Sequence, residues 1–292
     1  MALDDLREVT VTGRTALVLG GGGVAGIAWE IGVLVGLAEG GADVLGADLL
    51  VGTSAGSSVA AQVGAGLSPD ELYARQTDPA RQNHEFVPQG VSLERVWERM
   101  LQIQADHSDM TTIRREVGAF ALATETVPEK ERYAVFEGRL PVHEWPERPL
   151  VVPAVNATTG EPVIWTKDSG VPLVDAVAAS CAVPGIWPPV TVGDVRYIDG
   201  GIRSMVNADL AAGFERVLVV APLVDPTLDA QVAGLRDAGA VVDVILADEA
   251  SVAAFGTDPL SPETRGPSAE AGKAQGLAAA SVVAEHWAAG GA

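Results

Sequence analysis

The sequence predicts an α/β protein built around a mainly parallel central sheet, and three observations carry that prediction. Near the amino terminus an apolar strand-like run, a glycine loop and a helix-like run stand in that order. A second apolar run and a second helix-like run follow at once. The 292 residues, 48% hydrophobic and 20% charged, suffice to bury a large core. Because the 33 Gly and 18 Pro are scattered and not massed in one low-complexity block, a single domain over 1–292 is expected.

The elements follow in order. "TALVL" (Thr15 to Leu19) reads as a buried strand. Ile27, Ile31, Leu34 and Val35 then recur at helical spacing, and between Val24 and Gly40 only Glu30 and Glu39 are charged. This predicts a buried helix whose Gly32 and Gly36 let its backbone approach a sheet closely. "DLLVG" (Asp48 to Gly52) is the second strand, and "SAGSSVAAQVGAG" opens the second helix. A βαβ crossover leaves its strands parallel, with both following loops at one carboxyl edge. Residues 67–148 read as a mainly helical insertion, either a lid over the site or packing; "SPDEL" starts a helix with Ser68 as cap, Pro69 first and Glu71 closing a capping box. Val190–Val192 and Val195–Ile198 alternate around Gly193-Asp194, a hairpin signal. The core spans about 14–225. Val241 to Leu246 and Ala269 to Ala289 supply a further strand and a closing helix within 226–292.

Composition excludes several functions. A formal charge of -20 repels phosphate backbones and argues against nucleic acid as a partner. "MALDDLREVT" lacks a basic n-region and an apolar h-region, and no stretch runs 18 apolar residues, so no transmembrane segment and a cytoplasmic location are expected. Cys181 alone makes no internal disulfide, in keeping with a reducing compartment. With no HExxH, paired CxxC or EF-hand spacing, neither metal nor cofactor is expected.

The candidate site begins in "LVLGGGGVAGIAWEIG" (17–32). Gly21, Gly23 and Gly26 satisfy GxGxxG, but a dinucleotide fold would then end its second strand in Asp or Glu, and "GTSAG" stands there instead. Gly52-Thr53-Ser54-Ala55-Gly56 matches GxSxG between a strand and a helix, the context in which its serine is a nucleophile; a plain helix cap is the bland alternative. The backbone N–H groups of Gly21, Gly22 and Gly23 would then form an oxyanion hole. For the base, a Ser-Asp-His order nominates His286, over His84, His107 and His143. Ser54 follows only the second strand, however, which is early for an α/β-hydrolase. Asp199, followed by Gly200 and Gly201 after the hairpin, is the better base, with a self-bonded surface turn as its bland reading.

The glycine loop "GGGVAG" (Gly21 to Gly26), "GTSAG" and "DGG" (Asp199 to Gly201) together resemble the patatin-like phospholipase family. Supporting similarity runs through "NATTGEPVIW" (Asn156 to Trp165), "AASCAVPGIWPPV" (Ala178 to Val190) and "VLVVAP" (Val217 to Pro222). The resemblance implies a three-layer α/β/α patatin-like fold. It also implies a serine acyl hydrolase, a lipase or esterase of phospholipase A-like action, cleaving carboxylic esters of lipids through a Ser54-Asp199 dyad and an acyl-enzyme. Gly26, Gly52, Gly56, Gly200 and Gly201 are its supporting motif glycines, and transient membrane contact is compatible with it. One departure matters: Ala25 stands where the family usually carries Arg or Lys, so a positive charge near the oxyanion or a substrate phosphate is missing. The alternatives are a catalytically silent acyl-ligand-binding module of the same fold and an α/β-hydrolase-type esterase using His286. Trp29 and Trp187, each beside a motif, are candidates for an acyl pocket or for the core.

Overall fold

The structure is a computed structural model that describes residues 14–87 and 92–288; the segment "MALDDLREVT" and Ala289 lie outside the described residues. β1 (Thr15–Leu19) enters α1 (Gly23–Glu39) through the glycine loop, and β2 (Leu49–Gly52) turns sharply into α2 (Ala55–Gly64). The insertion holds α3 (Pro69–Thr77), α4 (Leu93–Asp106), α5 (Met110–Ala123) and α6 (Glu129–Arg139). α3 opens with the expected capping box: Ser68 Oγ accepts from the Glu71 N–H while the Glu71 carboxylate accepts from the Ser68 N–H. Then come β3 (Leu150–Asn156), β4 (Pro162–Trp165), α7 (Leu173–Ser180), β5 (Val190–Val192) and β6 (Val195–Asp199). The chain finishes with β7 (Arg216–Ala221), α8 (Leu228–Asp237), β8 (Val241–Leu246), α9 (Glu249–Phe255) and α10 (Arg265–Ala288).

The strands form one sheet in the order β5-β6-β3-β2-β1-β7-β8, with β4 also paired to β3. The run from β3 to β8 is parallel, and β4, β5 and β6 make an antiparallel wing. Strand alternation divides the core. Leu17 and Leu19 face a cluster with Trp29 and Leu34 of α1, Val59 of α2, Val177 of α7 and Val283 of α10. Ala16 and Val18 face the opposite cluster, with Leu228, Val232 and Leu235 of α8. Helices therefore cover both faces of a mainly parallel sheet, the three-layer arrangement expected. A third cluster seats Val96 and Met100 of α4 and Ile113 and Val117 of α5 against Val155 of β3 and Ile198 of β6.

α1 is buried from Val24 to Leu37 because it is enclosed between the sheet and α10. Burial pushes the carboxyl of its central Glu30 well above the ordinary carboxylate range. Gly32 and Gly36 do not serve the sheet, as the sequence suggests, but α10. A Cβ on Gly32 would strike the Ala269 carbonyl, and one on Gly36 the Lys273 carbonyl; from the other side Gly272 and Gly276 are pressed against the carbonyls of Trp29 and Val33. The matched order of these contacts makes α1 and α10 run in the same direction with their backbones in contact.

Since rigid backbone and not a flexible side chain would meet the added methyl, Gly36→Ala should destabilise the protein by about 1–3 kcal/mol or more. Gly234, on α8 with open space around it, is the control: its change to alanine should stabilise by about 0.5–1 kcal/mol. Urea unfolding of the two variants beside the parent reads both signs.

Candidate active site

Sheet register brings the elbow and the wing together. Val51 of β2 pairs with Val151 of β3, so three residues further along the two strands stand Ser54 and Ala154. The antiparallel partner of Ala154 is Asp199, the last residue of β6. The two side chains, 145 residues apart in the chain, thus reach the same level of the sheet edge, and Ser54 Oγ donates to Asp199 Oδ2 at 2.8 Å.

The elbow is tight and strained. Ser54 has φ 50° and ψ -116°, a left-handed-side conformation that costs a non-glycine residue about 1–3 kcal/mol. It occupies the cap position of α2, yet its hydroxyl makes no capping bond; it turns to Asp199 instead. A Cβ on Gly52 would meet the Gly56 carbonyl and Ser57 Cα, and one on Gly56 would meet the Leu19 carbonyl, so both elbow glycines exist for backbone contact. The strained residue is pinned from several sides. Its N–H donates to Ser180 Oγ at 3.0 Å, and its carbonyl accepts from Ser57 Oγ at 2.6 Å and from Cys181 Sγ at 3.0 Å.

Asp199 is nearly out of water, at 4% exposure. Its second oxygen, Oδ1, accepts from the Gly201 N–H at 2.7 Å, and its own N–H donates to the Ala182 carbonyl at 3.0 Å. Burial pushes its carboxyl up to about 7, against the smaller pull of the Gly201 and Ser54 hydrogen bonds. The two following glycines are explained by clearance and not by an unusual backbone path: a Cβ on Gly200 would strike the Pro153 carbonyl, and one on Gly201 would crowd Met205 and Asp199.

The glycine loop lies across from this pair. The Gly21 N–H donates to the Met205 carbonyl at 2.8 Å, so that amide is occupied. Among the described residues, the amides of Gly22 and Gly23 have no acceptor, which narrows the expected trio of donors to two. Gly23 adopts φ +66°, and the Ala25 N–H is held by the Pro259 carbonyl at 2.9 Å, so the segment before α10 seats the loop. Gly26 packs its bare Cα side against Pro222 and Ala55. Asn207, at φ 56°, donates to Thr53 Oγ1 at 3.0 Å and ties the stretch after Gly201 to the elbow.

A small cavity opens beside Ser54, lined among others by Gly23, Ala55, Cys181 and Trp187 and by Arg132 and Arg139 of α6. Trp187 is therefore a pocket residue. Trp29 is core: it is fully buried, and its Nε1 donates to Ser251 Oγ at 2.9 Å. His286 is not brought to the site. It bonds Asp243 of β8 at 2.8 Å, beyond the point where the end of α1 at Gly40 meets Ala280 on α10, and α1 alone is about 25 Å long. Sequence reasoning passed over Ser180, Met205, Asn207, Arg132 and Arg139. Only the first had a local signal, its place beside Cys181 in a stretch of family similarity.

A family model described as patatin-like phospholipase matches residues 17–212. No curated protein sequence matches the chain significantly. Among solved structures the chain is similar to VipD from Legionella pneumophila, at 13% identity over 94% of this chain and 67% of that one, TM-score 0.48. It is also similar to the type III effector protein ExoU, at 13% identity over 93% of this chain and 54% of that one, TM-score 0.39. The chain thus spans about half of the second structure and two thirds of the first. The family match takes in the glycine loop, the elbow and the Asp-Gly-Gly turn within one continuous span; the chain belongs to the patatin-like phospholipase family and is a hydrolase of lipid ester bonds.

Proposed function

We propose that the protein is a serine acyl hydrolase that cleaves lipid carboxylic esters with Ser54 as nucleophile and Asp199 as its only base. The observation that carries this reading is the 2.8 Å hydrogen bond from a strained, buried hydroxyl to a buried carboxylate. As Ser54 Oγ attacks the acyl carbonyl, its proton passes to Asp199 and the carbonyl oxygen becomes an anion held by the Gly22 and Gly23 amides. The C–O bond to the alcohol then breaks, Asp199 returns the proton to the departing oxygen, and the acyl group stays on Ser54. Water repeats the sequence, releasing the acid and restoring the hydroxyl.

Magnitudes rank these contributions. Two oxyanion donors supply roughly 2.7–4 kcal/mol each, and the amino-terminal end of α2 adds a field of the same sign. Raising the carboxyl from 3.8 to about 7 is worth at most about 4 kcal/mol in basicity, at roughly 1.4 kcal/mol per unit. Anion stabilisation therefore leads, and burial of Asp199 makes an otherwise weak base adequate.

No helix among the described residues is long and apolar enough to cross a membrane. The exposed Trp97 and Leu101 of α4 suit transient contact with a lipid surface. The free, buried Cys181 fits a cytoplasmic setting.

Ser54→Ala should lower kcat/KM on p-nitrophenyl butyrate by about 10³-fold or more, and Asp199→Asn by roughly 10²–10⁴-fold. His286→Ala should stay close to the parent; loss in that variant with survival of Asp199→Asn would favour the His286 alternative. Binding of the ester without turnover in the parent would favour the silent module.

In a pH series the parent's kcat/KM should fall about tenfold per unit below a midpoint near 7, as Asp199 takes up a proton. The stability effect has the opposite sense. A carboxyl raised in the folded state favours the fold below the unfolded value near 4, and that advantage is lost as pH rises through 7. Asp199→Asn should therefore be more stable than the parent at pH 8, by about 1–4 kcal/mol, with the gap closing below pH 4. Thermal unfolding at the two pH values measures it.

A further inference from the structure

The cavity beside Ser54 contains positive charge that the glycine loop lacks. No charged residue stands in the loop from Gly20 to Gly26, but α6 places Arg132 and Arg139 in the cavity wall with Ser54 and Trp187. Both arginines are at least 95% buried. Glu85 bonds both guanidinium groups, and Arg265 stands 3.6 Å from the same carboxylate. Burial alone would raise the Glu85 carboxyl, but Arg139 and Arg132 hold it below its ordinary value, so it is ionised. Three cations thus face one carboxylate. Counting Asp199 as ionised as well still leaves one positive charge in excess, inside a chain of net charge -20.

Arg132 has a free donor in this setting. Its guanidinium carbon lies 3.8 Å from the Trp187 ring centroid and its Nη1 is engaged by Glu85. Its Nε–H is buried and has no acceptor among the described residues. An arginine cannot shed its proton to escape such a position. A buried, unpartnered donor in a cluster with excess positive charge is costly when empty and selective when filled, above all by an oxyanion that matches the planar fork.

We propose that Arg132, backed by Arg139, forms an anion subsite within the Ser54 cavity that selects esters carrying a phosphate or carboxylate over neutral esters. The inference rests on the esterase reading for its substrate, but not for its ligand chemistry. The subsite is contributed by the helical insertion. It also gives α6 a specificity-determining part in the site.

Three probes of equal chain length test the subsite: hexyl phosphate, hexanoate and hexanol, each used to inhibit p-nitrophenyl butyrate turnover by the full-length protein. At least one anion should bind about tenfold or more tightly than hexanol. Tight hexyl phosphate identifies a phosphate-bearing substrate, and tight hexanoate identifies a carboxylate. Arg132→Met should reduce that preference by about tenfold, and Arg132→Lys, which keeps the charge without the Nε–H, should reduce it partly. Equal binding of all three probes to the parent overturns the proposal, and so does a preference that survives Arg132→Met. Should Arg132→Met not fold, the parent's own three-probe comparison and Arg132→Lys decide the matter. If the parent turns over no ester, calorimetric titration of the same probes into Ser54→Ala still measures the subsite, so failure of the esterase reading and failure of this one are told apart.

Discussion

A hydroxyl bonded to a carboxylate almost out of reach of water is the constraint around which this protein is arranged. Each partner is unfavourable where it stands: Ser54 has a backbone conformation that only glycine adopts freely, and Asp199 has lost most of its hydration. Neither state would persist on its own. The strain is held by Ser180, Ser57 and Cys181 on the elbow, and the carboxylate by the Gly201 amide and by pairing of β6 with β3. The well-packed faces of the sheet supply the stability that this corner gives up, a common relation between active sites and the cores beneath them.

Much of this was legible in the sequence where the determinants are short in range. β1 and β8 fall where their apolar runs predict, the hairpin of β5 and β6 surrounds Gly193-Asp194, and the Ser68 capping box needs only four adjacent residues. The Ser54-Asp199 pairing was legible because each residue stands in a local motif whose geometry is informative. Long-range partners were not. Small residues announce that something will come close but not what, so Gly32 and Gly36 read as facing the sheet although α10 is their neighbour. The loss of the Gly21 donor depends on a carbonyl at Met205, far along the chain. Arg132 and Arg139 sit in "EKERYAVFEGR", where nothing distinguishes them from arginines on a solvated helix; only Glu85 and Trp187, met in space, reveal their burial.

The site is assembled from segments of unequal standing. The family match at 17–212 contains Ser54, Asp199 and the loop amides. It also contains the insertion that places two arginines in the cavity wall, so the hydrogen-bonded pair and the charge beside it are coded in different parts of the same span. Changes in α6 can alter the charge of the cavity wall while the Ser54-Asp199 hydrogen bond stays as it is.

The Pro259 carbonyl that holds Ala25, and the helix that follows it alongside α1, come from the last part of the chain. During synthesis on the ribosome the glycine loop therefore emerges long before its anchor does. A nascent polypeptide would hold the serine and the aspartate before the glycine loop has its anchor, and the loop would take its final place only once Pro259 and α10 had emerged.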